Sequence, residues 1–161
     1  IVGALIFSFV DFGSLLPNKL DLSNNLLGDA TRSVAYSNEH TAPNGSTALA
    51  NQAKVIFRYN GAKRVTIPVD GGQIETELNS VCNSTELENL DTGTIKSTAG
   101  EEVPFLNGQD GLITFNCSGI DGGQGLLPGD NLVGTISIVV KDPKSQLRIP
   151  STGSIRLQVI E

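Results

Sequence analysis

Short runs of alternating apolar and polar residues, separated by turns rich in Gly, Asn and Pro, cover most of the chain. A period of two predicts β-strands, because successive side chains of a strand point to opposite faces. The last run is the clearest, with Ile155, Leu157 and Val159 predicted to face inward. Other strands are predicted at 31–37, 54–59, 64–69, 73–82, 112–117 and 131–141. This many short strands with almost no helix predicts an all-β fold, an immunoglobulin-like or pilin-like β-sandwich over residues 31–161.

Two local patterns give more specific expectations. Asn60-Gly61 lies between two apolar runs, and both residues accept a positive φ. The pattern therefore predicts a β-hairpin that joins Lys54–Tyr59 to Arg64–Val69. Residues 84–88 (Ser-Thr-Glu-Leu-Glu) are compatible with one short helical turn.

The N-terminal segment is apolar on both faces of a predicted strand. Aromatic and β-branched residues dominate residues 5–12, which favours an extended strand. The run is too short for a membrane helix, which needs about 20 apolar residues. Residues 1–14 are therefore treated as an apolar strand, and residues 15–30 as a linker with little periodicity. The side chains expected to be buried are Leu5, Ile6, Phe7, Phe9, Val10 and Phe12.

Three interpretations of this segment remain open: a remnant of an anchor or leader, a strand of the chain's own sandwich, or a strand donated to a neighbour. Asp11 and the short length argue against an anchor. A tether of roughly 18 residues can reach another molecule at about 3.3 Å per residue, which favours donation. The donated strand would add to an open sheet edge, and such head-to-tail contacts build filaments.

Two cysteines and three Asn-x-Ser/Thr triplets point to an exported protein, as does a chain that contains no Met. The candidate N-glycosylation sites are Asn44, Asn83 and Asn116. If Cys82 and Cys117 face the core, their neighbours Asn83 and Asn116 face solvent. We predict a Cys82–Cys117 disulfide, which stabilises by about 4 kcal/mol in the chain-entropy model.

Composition excludes several classes of function. The net charge of −6 argues against nucleic acid, and the chain has no polybasic segment for anionic membranes. His40 is the single histidine, and no nucleophile-elbow motif accompanies it. Asp110, Asp121 and Asp130 lie in Gly-rich segments without the spacing of a calcium loop. We therefore expect no enzyme, no metal site and no cofactor, with covalent N-glycans as the only attached groups.

An apolar N-terminal strand, a linker and a sandwich with three glycosylation triplets resemble the subunits of archaeal thread filaments. Those are donor-strand-complemented pilins, similar in architecture to bacterial type 1 pilins. The resemblance implies an extracellular cell-surface filament, a head-to-tail homopolymer of identical subunits, and a role in adhesion or cell–cell contact. The chain departs from chaperone–usher pilins in two respects. Its C-terminus, Leu157-Gln-Val-Ile-Glu161, has no penultimate tyrosine, and its cysteines lie in mid-chain.

Two other classes of function are compatible with the sequence. One is a monomeric, secreted carbohydrate-binding or surface-layer-associated module, although such modules usually present an aromatic platform. Only 5% of residues are aromatic here, and none is Trp, which argues against this class. The other is a small secreted hydrolase that uses His40.

Overall fold

The computed structural model describes residues 18–36, 52–77, 80–117 and 131–160, and within these ranges it contains strands and turns but no helix. This confirms the predicted all-β fold. The strands in chain order are β1 (Lys19–Leu20), β2 (Leu26–Tyr36), β3 (Gln52–Tyr59), β4 (Val65–Pro68), β5 (Gly72–Thr76), β6 (Val81–Asn89), β7 (Ile95–Lys96), β8 (Glu102–Phe105), β9 (Asp110–Asn116), β10 (Asn131–Lys141) and β11 (Arg148–Ile160).

Strand pairing closes the sandwich into a ring. It runs from β10 through β11, β2, β3, β9, β6 and β5, and returns to β10. All these pairs are antiparallel except β2 with β11. That parallel link has only two residue pairs, Ala35↔Val159 and Tyr36↔Ile160. The ring is therefore continuous, but β2 and β11 meet only at the end of each strand.

The core lies between the two layers and is built by the inward positions of the strands. Ile155, Leu157 and Val159 are buried, while Gln158 and Ile160 are exposed, as the alternation predicts. The rings of Phe57 and Phe105 pack with their centroids 5.5 Å apart. Burial of side chains from both layers supplies the main driving force for the fold.

The predicted Asn60-Gly61 hairpin is wrong. β3 pairs with β2 and β9, whereas β4 pairs with β8 and β10. The chain crosses between layers at Gly61, where an added Cβ would lie 2.1 Å from the Tyr59 hydroxyl oxygen. That hydroxyl donates a hydrogen bond of 2.5 Å to the carbonyl oxygen of Lys63. Tertiary packing of both apolar strands therefore overrides the local turn signal.

The single strand predicted over residues 73–82 is wrong, because β5 ends at Thr76, β6 begins at Val81, and the two pair antiparallel. β5 and β6 pair through Ile74↔Cys82, and the Thr76 N–H closes the turn by donating to the Ser80 carbonyl oxygen at 2.8 Å. The helical turn predicted at residues 84–88 is also wrong, because these residues belong to β6. The buried Ser84 hydroxyl accepts from the Gly72 N–H and donates to the Val69 carbonyl oxygen, which anchors this strand.

Strand structure also extends into the stretch expected to be a linker. β2 begins at Leu26 instead of Thr31, because Leu26 to Asp29 pair with the end of β3. Lys19 and Leu20 form β1 against β11. The expected linker at 15–30 therefore contains residues that are part of the folded domain.

Candidate assembly surface

The last strand, β11, has two edges that are paired in different ways. Along one edge, β10 matches it residue by residue in eleven consecutive pairs, from Lys141↔Arg148 to Asn131↔Gln158. Along the other edge, β2 covers only Val159 and Ile160. We call these the β10 edge and the outer edge. The outer edge is where an added strand could pair with the sheet.

Residues Asn18–Asn24, called here the capping segment, cover most of the outer edge. They run antiparallel to β11, but only Lys19↔Arg156 and Leu20↔Ile155 are ladder pairs. One further backbone bond joins the Asp21 N–H to the Ser154 carbonyl oxygen at 2.9 Å.

The rest of the capping segment is held through polar side chains. Asn18 Oδ1 accepts from the Gln158 N–H at 2.9 Å, and Ser23 Oγ accepts from the Thr152 N–H at 3.0 Å. Asn24 Nδ2 donates to the Pro150 carbonyl oxygen at 2.8 Å. Side chains thus replace the backbone ladder at three points along the edge.

Ser151 is the buried anchor of this contact. Its side chain is fully buried, its Oγ accepts from the Ser23 N–H at 3.0 Å, and its hydroxyl donates to the Ser23 carbonyl oxygen. The hydroxyl therefore satisfies both backbone groups of Ser23. Without it, both groups would lose their partner at the partly buried edge.

Two glycines allow the capping segment to lie this close to its neighbours. A Cβ added at Gly153 of β11 would lie 1.8 Å from the Asp21 carbonyl oxygen. A Cβ added at Gly28 of β2 would lie 2.6 Å from the Leu20 carbonyl oxygen. At Gly28 the Leu20 Cγ atom is closer still, at 2.4 Å. Because backbone blocks a Cβ at both positions, any larger residue would displace the segment.

The two ends of the outer edge differ. At one end, called the cleft pole, an open cleft of about 400 Å³ lies between the layers. Its apolar lining includes Tyr59, Val65, Val140 and Ile149, and Ile149 is 44% exposed. The Asn24–Asn25 turn, with positive φ at both residues, forms one rim.

At the opposite end, called the N-terminal pole, the described chain begins at Asn18 beside Gln158. Residues 1–17 are attached here. The strand rise of about 3.3 Å places Pro150 and Gln158 about 26 Å apart. The predicted donor residues Leu5, Ile6, Phe7, Phe9, Val10 and Phe12 lie outside the described residues, as do Asn44 and His40.

The cysteines and two glycosylation triplets lie on neighbouring strands. Cys82 and Cys117 are fully buried and joined by a disulfide, with 4.4 Å between their Cα atoms. Asn83 and Asn116 are exposed on the opposite face. The bond links β6 to the end of β9 within one layer.

A charged cluster on the outer face of β2, β3 and β9 is not apparent in the sequence. Asp110 accepts from Arg58 Nε at 2.9 Å and from Arg32 Nη2 at 3.1 Å. Arg32 Nε also donates to Asp29 Oδ2 at 2.6 Å. The hydrogen bond from Arg58, followed by the bond from Arg32, lowers the pKa of Asp110 below its usual value. Both carboxylate oxygens of Asp110 thus bind arginines.

No group of three or more His, Cys, Asp or Glu side chains in the described ranges is arranged to hold a metal ion. Asp121 and Asp130 lie outside these ranges. Within the same part of the chain, no helix has the length and apolar character that a membrane span requires.

No known family model and no curated protein sequence matches this chain. Among solved structures, it is similar to the CooA pilin subunit from enterotoxigenic Escherichia coli, with 13% identity and a TM-score of 0.33. The match covers 80% of this chain and 99% of that chain. This TM-score is too low to establish a shared fold.

Proposed function

We propose that this chain is the subunit of an extracellular, cell-surface filament with a role in adhesion or cell–cell contact. Each subunit donates its N-terminal strand to the outer edge of β11 in the next subunit. The observation that carries the proposal is the incomplete backbone pairing along this edge. Only two ladder pairs from the capping segment and two from β2 occupy it.

The geometry of the two poles supports head-to-tail assembly. Residues 1–17 are attached at the N-terminal pole, and the cleft opens at the other pole, where Lys63, Arg64 and Asp142 lie beside its apolar residues. In a stack of subunits, the donated segment of one copy enters at the cleft of the next, so its C-terminal end lies at the cleft and its N-terminal end at the N-terminal pole. Its chain direction is therefore antiparallel to β11, as is that of the capping segment.

Length and chemistry also match. The eight residues 5–12 span about 23 Å when extended, which is close to the distance of about 26 Å from Pro150 to Gln158. Their apolar side chains suit a cleft lined by Val65, Val140 and Ile149. Burying each large apolar side chain is worth about 1.5–3 kcal/mol before entropy. Because the contact joins different surfaces of identical subunits, it does not close and produces a filament.

The first test measures assembly of the full chain by electron microscopy and light scattering. We expect Phe7→Asp and Ile149→Asp each to abolish filaments, because one charges the donated strand and the other the cleft. Leu106→Asp is the matched control, since Leu106 is also an exposed apolar residue but lies outside the cleft. Filaments from Ile149→Asp, or a wild-type chain that stays monomeric, would contradict the proposal.

A second test separates the donated strand from the domain. A variant that lacks residues 1–14 is melted with and without a peptide of those residues. A saturable rise in Tm is the expected result, because the peptide adds a strand to the outer edge. An unchanged Tm would favour a monomeric secreted module, whose binding to a glycan array can then be measured.

A further inference from the structure

Asn83 and Asn116 are cross-strand partners, although they are 33 positions apart in the sequence. The register of β6 and β9 places them directly opposite each other, and both are exposed. The adjacent cysteine pair has the short Cα–Cα distance of 4.4 Å that marks a non-hydrogen-bonded pair. Because the two pair types alternate, Asn83 and Asn116 form the hydrogen-bonded pair, with Cα atoms about 5.5 Å apart.

Their neighbours extend this pair into a row of uncharged polar residues across the outer face. Asn116 is paired with Gln52 of β3, and Asn83 with Gln73 of β5. The row continues through Ser137 of β10 to Thr152 of β11. Each asparagine therefore has a glutamine on the side that faces away from the other asparagine. These glutamines limit how far two groups attached to the asparagines could move apart.

We infer that Asn83 and Asn116 form one composite glycosylation site that carries a single oligosaccharide in the folded protein. Side chains of a strand stand nearly perpendicular to the sheet, so groups on opposed residues project in parallel. A pyranose ring with its substituents is wider than the spacing of the two asparagines. Two oligosaccharides would therefore collide at their first sugars.

The chemistry needs an activated donor from the host. The anomeric carbon of the first sugar forms a bond to Asn Nδ2, which loses one proton. The phosphate of a lipid-linked oligosaccharide is the leaving group. Each triplet supplies its hydroxyl residue two positions after the asparagine, Thr85 for Asn83 and Ser118 for Asn116.

Asn83 is the preferred acceptor of the two. Thr85 is exposed and lies in a β-bulge, where the register of β6 and β9 shifts between Ser84 and Glu86. A bulge interrupts the ladder and leaves its extra residue unpaired. The Asn116 triplet instead contains Cys117, which the disulfide fixes against β6.

The disulfide itself permits a direct count of oligosaccharides per molecule. Trypsin cleaves after Arg64, Lys96 and Lys141, which gives fragments 65–96 and 97–141. In a non-reduced digest, Cys82–Cys117 keeps these two fragments together, so both asparagines are weighed in one species. Asn44 falls in a separate fragment, 33–54.

The experiment expresses the full chain in a host that modifies Asn-x-Ser/Thr triplets, together with a reporter that carries one such triplet. We expect the linked fragment to carry one oligosaccharide, mostly at Asn83. Asn83→Gln should raise occupancy of Asn116 several-fold, whereas Asn44→Gln should change neither site. Two oligosaccharides on one linked fragment would overturn the inference. So would an unmodified linked fragment in cells that modify the reporter.

Discussion

The two edges of β11 show how the same strand can be fully paired on one side and only partly paired on the other. On the β10 edge, eleven consecutive backbone pairs leave no gap for another strand. On the outer edge, the capping segment makes two ladder pairs and one further backbone bond, from the Asp21 N–H to the Ser154 carbonyl oxygen, and otherwise uses Asn and Ser side chains. The β10 edge therefore belongs to the fold, whereas the outer edge is where we propose that another strand adds.

The difference originates in sequence. β10 has a continuous alternation, with Leu132, Ile136, Ile138 and Val140 all buried. The capping segment fully buries one large apolar side chain, Leu20, at 6% exposure, and packs the half-buried Leu22 against the core. A segment with so little buried apolar area opens at low free-energy cost, so exchange is expected here before unfolding of the sandwich.

Breaking the β10 edge should have the largest effect. Ile136 is fully buried, and its replacement by Ala leaves a cavity in the core. We expect Ile136→Ala to lower the free energy of unfolding by about 2–5 kcal/mol, as large-to-small core changes do. Urea unfolding measures this, and the exposed neighbour Thr135→Ala is the control. A loss confined to the capping segment would contradict the assignment of this edge to the fold.

Gly153→Ala should have the next largest effect, and it should disturb the outer edge of β11 without disturbing the β10 edge. The added methyl meets the Asp21 backbone oxygen, which cannot rotate away, so the capping segment must shift. We expect a cost of about 3 kcal/mol, at the upper end of overpacking changes. Hydrogen exchange should become faster at residues 19–24 and remain slow in the middle of β10. Thr152→Ala, on the neighbouring position of β11, should leave both rates unchanged.

Ser151→Ala should produce a smaller change in the same place. It leaves the Ser23 N–H and carbonyl oxygen without their buried partner, at a cost of about 1–3 kcal/mol. The measurement is again hydrogen exchange together with urea unfolding. Ser154→Ala is the matched control, because the Ser154 hydroxyl is exposed and makes a 3.3 Å contact with Asp21. If Ser151→Ala and Ser154→Ala change hydrogen exchange and the free energy of unfolding equally, burial of Ser151 does not matter.

The regular part of the molecule was predictable, because its signal is local. The alternation in β11 places Ile155, Leu157 and Val159 inward, as the structure does. With only two cysteines, one intramolecular pairing is available, and alternation then turns Asn83 and Asn116 outward. These inferences need no knowledge of which strands are neighbours.

Whatever depends on strand order could not be predicted in this way. The Asn60-Gly61 signal is local, but the partners of β4 are β8 and β10, which lie far along the chain. The capping segment has polar residues without periodicity, and Ser23 bonds to Ser151, 128 positions away. The pairing of Asn83 with Asn116 likewise follows from register, which neither triplet encodes.

Protonation of Asp110 should give the smallest effect of these changes. It tests whether a charged cluster away from the outer edge of β11 influences that edge. Its hydrogen bonds to Arg58 and Arg32 lower its pKa below the ordinary value of 3.8. The stabilisation is therefore present above about pH 4 and is lost as the pH falls through the lowered pKa of the folded state. We expect Asp110→Asn to cost less than about 1 kcal/mol at pH 7, because both arginines are about half exposed.

The difference in free energy of unfolding between wild type and Asp110→Asn should shrink as the pH falls below 4. Parallel urea titrations at pH 7, 4 and 2.5 measure it. A gap that persists at pH 2.5 would mean that the substitution acts through packing, not through the loss of a charge. Exchange rates at residues 19–24 should be the same in both proteins. The cluster joins β2, β3 and β9, and of these strands β2 is the one that pairs with β11 in the described part of the chain. If the capping segment loosens as Asp110 is protonated, the outer edge is coupled to this cluster, and acid then favours strand exchange.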